Sequence, residues 1–82
     1  MPIENTAKNL ISGRLREARL MTNPKTMQRD LHARLETRGV FLNETAISKI
    51  EAGTRPVSDI ELVAIADSLN VTPHWLLSYN DK

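Results

Sequence analysis

An all-α domain built from five short helices is predicted by three observations. Apolar residues recur at three-to-four spacing in separate windows, Gly, Asn or Pro punctuates the chain between them, and no segment alternates apolar with polar residues as a half-buried strand does. A chain of 82 residues supports one core, so residues 1–82 are read as a single domain. Hydrophobic residues at 40% and charged residues at 26% separate it from disordered and membrane compositions.

Asn5 and Thr6 are candidate N-caps of the first helix, because their side-chain oxygens accept from orphan backbone N–H groups. Ala7, Leu10, Ile11, Leu15 and Ala18 form its apolar stripe. Gly13 inside that stripe hints at close packing, since glycine lowers helix propensity by about 1 kcal/mol relative to alanine. The helix must stop before Asn23-Pro24, because proline disfavours helical geometry in the residue it follows. Thr26 can cap a second helix over about 27–38, in which Met27, Leu31 and Leu35 recur every four residues and Gly39 takes the left-handed position beyond the end. Val40, Phe41 and Leu42 are too few for a strand and read as an apolar connector tucked onto the core. Asn43 caps a third helix, which buries Ala46, Ile47 and Ile50 and ends at Gly53. Ser58 and Glu61 form a capping box for a fourth helix, with Leu62, Val63, Ile65, Ala66 and Leu69 inward and Asn70 closing it. Thr72 followed by Pro73 at the first helical position opens a fifth helix through Trp75, Leu76 and Leu77.

Several chemistries are excluded. Without cysteine there is no disulfide, thiolate metal site or thiol nucleophile. The longest apolar runs, such as Trp75-Leu76-Leu77, fall far short of the ~20 residues that span a bilayer, and the opening residues form no signal peptide. A soluble cytoplasmic protein with no membrane partner is therefore expected. His32 and His74 lie on separate helices without a second metal ligand one turn away, and there is no glycine-rich phosphate loop. The spacings of Asp30 with Glu36, and of Asp59 with Glu61, are those of helix caps and solvated faces. The expectation is a protein that is not an enzyme, with no catalytic residues, no metal and no cofactor.

The charges are unevenly placed. Residues 1–55 carry ten basic and six acidic side chains, a net +4, whereas residues 56–82 carry only Lys82 against Asp59, Glu61, Asp67 and Asp81, a net −3. A cationic binding face in the first two thirds of the chain follows, and nucleic acid is one partner that fits it.

The second and third helices, short, joined by a connector and rich in outward polar residues, form the arrangement of a helix-turn-helix reader over about 27–52. Five further signals accompany it. They are Leu15-x-x-x-Arg19, Gln28-x-x-Leu31, Ile47-Ser48-Lys49-Ile50-Glu51-x-Gly53, Leu62-x-x-Ile65-Ala66-x-x-Leu69 and Val71-x-x-x-x-Leu76. On these residues the chain resembles the phage-repressor and Cro-like (XRE-type) helix-turn-helix family over roughly 9–77. The resemblance implies a compact five-helix bundle of the lambda-repressor-like DNA-binding type. There are two departures. From Leu35 to Ile47 the turn is five residues longer than the family's usual turn, and His32 replaces a small alanine. A second helix ending at Gly39, with Phe41 or Leu42 packed beneath it, accommodates the insertion.

Carried over by position, Glu44, Thr45 and Lys49 match the residues that face base edges in the major groove, and Ser48 matches a less regular contact. Lys49 is the best base-reading candidate, able to reach guanine O6 and N7. Glu44 could accept from cytosine N4, but as the first helical residue it is also stabilised by the helix dipole, and that structural role is slightly favoured. Gln28 matches a phosphate contact at a helix N-terminus, and Thr54 with Arg55 matches the loop that holds a second phosphate. Arg19 and Glu51 match an internal salt bridge. Trp75, Leu76 and Leu77 with Tyr79 either complete the core or expose a dimer seam.

What the resemblance implies is a sequence-specific regulator that binds double-stranded DNA, a repressor acting as a homodimer on a two-fold, palindromic operator. An antitoxin, with a toxin as its partner protein, and a restriction-modification controller are alternatives on the same domain. The rival from another class is a protein-interaction module that keeps the scaffold without binding DNA, motivated by the net charge of +1 and by Glu44.

Overall fold

Three helix ends close in the same way and set where the chain turns. Gly39, Gly53 and Asn70 all adopt positive φ (78°, 79° and 58°). Beyond each, the next N–H reaches back to the carbonyl five residues before it, Val40 to Leu35, Thr54 to Lys49 and Val71 to Ala66. This is the Schellman closure, which satisfies carbonyls that have no intrahelical partner. Glycine adopts this backbone without a Cβ penalty and asparagine tolerates it, which is why these residues read correctly as helix ends.

The computed structural model describes residues 8–78. Its elements are α1 (Ser12–Met21), α2 (Gln28–Glu36), α3 (Glu44–Glu51), α4 (Asp59–Ser68) and α5 (Pro73–Leu76), with no strand among the described residues. Helix α2 packs on α3 and α4, α1 packs on α3 and α5, and α4 packs on α5. Between them lies one core of Ile11, Leu15, Ala18, Leu31, Leu35, Val40, Leu42, Ile47, Ile50, Ala64, Ile65, Ala66, Leu69 and Leu76. The fold is the all-α, five-helix bundle expected from the sequence.

The caps at Asn43, Ser58 and Thr72 form as expected. Their side-chain oxygens accept from the backbone N–H of Ala46, Glu61 and Trp75, and the Glu61 carboxylate accepts in return from the Ser58 N–H. Two other helix starts differ from expectation. Helix α1 begins at Ser12, and the expected caps Asn5 and Thr6 lie, with Ala7, outside the described residues. Residues 8–10 are not helical, because the Lys8 backbone and the Asn9 side chain bond to carbonyls at the end of α3 and beyond it. Thr26 does not cap α2. It is buried, with its hydroxyl 2.7 Å from that of Thr22, and Met27 holds the cap position, its N–H donating to Asp30.

Three packing expectations are corrected. In the extended connector Val40 and Leu42 turn inward, so Phe41 faces out and is 75% exposed, because successive residues of extended chain point to opposite sides. Leu42 alone therefore lies beneath the long turn. On α4, Val63 is 57% exposed and Ala64 takes the buried position. Gly13 is not at a close approach, since a Cβ built there meets nothing within 4 Å. Gly13→Ala is therefore expected to stabilise the protein by about 0.5 to 1 kcal/mol and raise Tm by a few degrees. Thermal unfolding checks this, and an unchanged or lower Tm would contradict it.

Candidate nucleic-acid interface

Seven of the eight residues of α3 divide between two faces. Ile47 and Ile50 are fully buried and Ala46 is partly so, whereas Glu44, Thr45, Ser48 and Lys49 are exposed. The outward positions recur at one-turn spacing, so four polar side chains share one face of a helix held rigidly from below. Beside that face runs an open groove of about 440 Å³ lined by Asn43, Thr45, Ala46, Lys49, Thr54, Arg55 and Pro56. The fold thus gathers Thr45, Lys49, Thr54 and Arg55 in one concavity, while Glu44 and Ser48 stand on the same helix without lining it. The Glu44 side chain makes no hydrogen bond or ion pair to a described residue, and its place in the first turn suits the helix dipole.

Arg55 is already engaged. Its Nη1 and Nη2 donate to the two Glu61 oxygens at 3.2 and 3.3 Å, and Nη1 also reaches the Pro56 carbonyl at 2.8 Å. Burial by itself would push the Glu61 carboxyl up. The Arg55 hydrogen bonds, the Ser58 N–H and the Arg55 charge outweigh burial and hold it below its ordinary value. A guanidinium has five donors, and those not spent on Glu61 and Pro56 remain available to a phosphate oxygen. Glu61 read from the sequence only as half of a capping box, and nothing local marks its second role.

Gln28, the first residue of α2, turns its amide onto Glu51 at 3.3 Å. It therefore sits at the expected helix N-terminus, but its side chain is tied inward. Glu51 is in turn the partner of Arg19, whose Nε and Nη2 meet the two carboxylate oxygens at 2.7 and 3.0 Å, with both side chains 8% exposed. Arg19 Nη1 also donates to the Thr26 carbonyl at 3.1 Å. One guanidinium thus joins the end of α1, the entry to α2 and the end of α3.

A Helix-turn-helix family model matches residues 14–76, a span that runs from within α1 to the end of α5. The chain belongs to this family. It is an XRE-type helix-turn-helix protein, a DNA-binding regulator of transcription. Neither a curated protein nor a solved structure matches the chain. No helix among the described residues is long and apolar enough to cross a membrane.

In the C-terminal part of this helix-turn-helix domain, the residues read as either core or dimer seam divide between buried and exposed positions. Leu76 is fully buried in the core, and the Trp75 ring is covered by Arg14, whose guanidinium lies 4.3 Å from the ring centroid. Arg14 also donates to the Ser78 carbonyl, tying α1 to the end of α5. Leu77 keeps an exposed edge, and Tyr79 lies outside the described residues. The more exposed apolar side chains are elsewhere, at Met21, Met27, Phe41, Ile60 and Val63. His32 sits beside Glu36 at 3.5 Å on α2, and His74 is exposed, both at the surface or its boundary.

Proposed function

We propose that the protein is a sequence-specific regulator of transcription that binds double-stranded DNA, residues 1–82 acting as one domain in the cytoplasm. It works as a homodimeric repressor on a palindromic operator. The observation that carries this reading is the placing of Lys49. Its side chain stands on the outward face of α3, without an ion-pair or hydrogen-bond partner among the described residues, in the same groove as Thr45, Thr54 and Arg55. Arg14, Arg19, Arg34 and Arg38 are by contrast all committed to carboxylates or carbonyls within the fold.

Inserted in a major groove, α3 sets Lys49 against guanine O6 and N7, while the Thr45 methyl packs on thymine. The loop at Thr54 and Arg55 falls to the phosphate on one side, and on the other Gln28 reaches a phosphate by giving up its 3.3 Å bond to Glu51. Two copies related by a two-fold axis place their α3 helices about 34 Å apart, one turn of B-DNA. Occupying a promoter this way is enough to repress it, with no ligand or cofactor. An antitoxin bound to a toxin, or a restriction-modification controller, would read DNA through the same groove.

A protein-interaction module on this scaffold is the second reading, favoured by Ile60 and Val63, which stand 71% and 57% exposed on one face of α4. Salt separates the two. Neutralised phosphates release counterions, so a dimer with six such contacts should lose on the order of a thousandfold in affinity for duplex DNA between 50 and 200 mM salt. Titration of duplexes selected from a random library measures this, and a flat profile would favour the interaction module.

A further inference from the structure

We propose that Asn9 is a positioning residue for DNA binding: its side-chain amide locks the Thr54–Arg55 loop to the end of α3, holding the phosphate contact of the loop in register with the base contact of Lys49. The proposal rests on the DNA-binding reading above. Asn9 lies outside the span matched by the family model.

The half-buried Asn9 side chain spends all its polar atoms within the fold. Nδ2 donates to the Ile50 carbonyl at 3.1 Å and to the Arg55 carbonyl at 2.9 Å, and Oδ1 accepts from the Ile11 N–H at 2.9 Å. Between those two carbonyls, Gly53 O accepts from the Lys8 N–H at 2.8 Å. The last turn of α3 and the loop beyond it are thus stitched to one short strap that precedes α1.

Starting α1 does not by itself require an asparagine. Oδ1 alone serves the Ile11 N–H, and an Asp or Ser oxygen would do the same. The two N–H donors are what only the amide supplies, and both are aimed at the α3 end and its loop. Without them Arg55 would be held by Glu61 from the α4 side, with only the Thr54 hydroxyl bond to Lys49 O and the helix-end closure linking the loop to α3. A loop freed in this way must be ordered again on binding, and that entropy offsets what the phosphate would contribute.

The test compares wild type with Asn9→Ala, on a selected operator and a scrambled duplex, across a salt series and at a temperature where both proteins are folded by circular dichroism. Removing one phosphate interaction per half-site lowers the salt slope by about 0.9 for each and weakens a dimer by up to about thirtyfold at 0.15 M salt. The expected result is a weakening of this kind on both duplexes alike. Asn9→Ala should cost little further in an Arg55→Ala background, since a positioning residue has nothing left to position. If Asn9→Ala does not fold, Asn9→Ser replaces it, keeping an oxygen for Ile11 without two amide donors. An unchanged salt slope, a weakening confined to the selected operator, or full additivity with Arg55→Ala would each overturn the proposal. Wild-type protein that binds no duplex in a salt-dependent way would instead remove the DNA-binding reading, and the proposal with it.

Discussion

Replacing Arg19 with alanine is expected to destabilise the domain by about 3 to 5 kcal/mol, the range for breaking a buried ion pair by removing one partner. The destabilisation has two sources. The Glu51 carboxylate, 8% exposed, keeps only the Gln28 amide at 3.3 Å, and the Thr26 carbonyl loses its side-chain donor. An uncompensated charge in that position must draw in water, which opens the junction of α1, α2 and α3. In a domain of this size each kcal/mol moves Tm by roughly 4 to 8 °C, so the variant should melt well over ten degrees lower. Urea unfolding at fixed pH gives the free energy directly. A difference under about 1 kcal/mol would show that the pair behaves like an exposed one. The double replacement Arg19→Met with Glu51→Leu should recover most of the stability, because apolar residues of similar size avoid the desolvation that the pair must offset.

The same residues show why parts of the molecule were legible in the sequence and others were not. Caps and closures depend on chemistry within a few positions, so Asn43, Ser58, Thr72, Gly39, Gly53 and Asn70 could be read directly. Parity in the connector could not, because extended Val40-Phe41-Leu42 buries either its middle residue or its two ends, and the pattern is apolar throughout. Helix α4 is similarly ambiguous, since Ile60, Val63, Ala64 and Ile65 offer more apolar positions than one face can bury. Arg19 and Glu51, 32 residues apart, could be paired only through the family resemblance. Asn9 bonds across 41 and 46 residues, and no local pattern marks an asparagine for that task. The polar face of α3 was legible because its period is local, whereas the tie between Arg55 and Glu61 was not, as the capping box already accounted for Glu61.

Lys49→Ala and Arg55→Ala should separate specificity from affinity. Lys49 stands on the outward face of α3, one turn beyond Thr45, and its ammonium has no partner among the described residues to give up when DNA arrives. Its removal should cost about 1 to 3 kcal/mol on the selected operator and relax preference at one position of each half-site, because a bidentate contact to guanine discriminates by that amount. Arg55 lies beyond the helix, at the rim of the same groove, with part of its guanidinium spent on Glu61 and Pro56. On the proposed docking, a side chain there faces the backbone of DNA rather than its bases, so Arg55→Ala should weaken selected and scrambled duplexes alike and lower the salt slope by about one for each phosphate no longer neutralised. The prior bond to Glu61 makes that weakening smaller than a free arginine would give, since a phosphate gains a donor already half-satisfied by a carboxylate. Parallel titrations of both duplexes across a salt series measure both effects. Equal weakening on the two duplexes for Lys49→Ala would mean that α3 does not enter the groove along its outward face. The connector from Arg38 to Asn43, with exposed Phe41 at its centre, would then be the segment that holds the helix away from the bases.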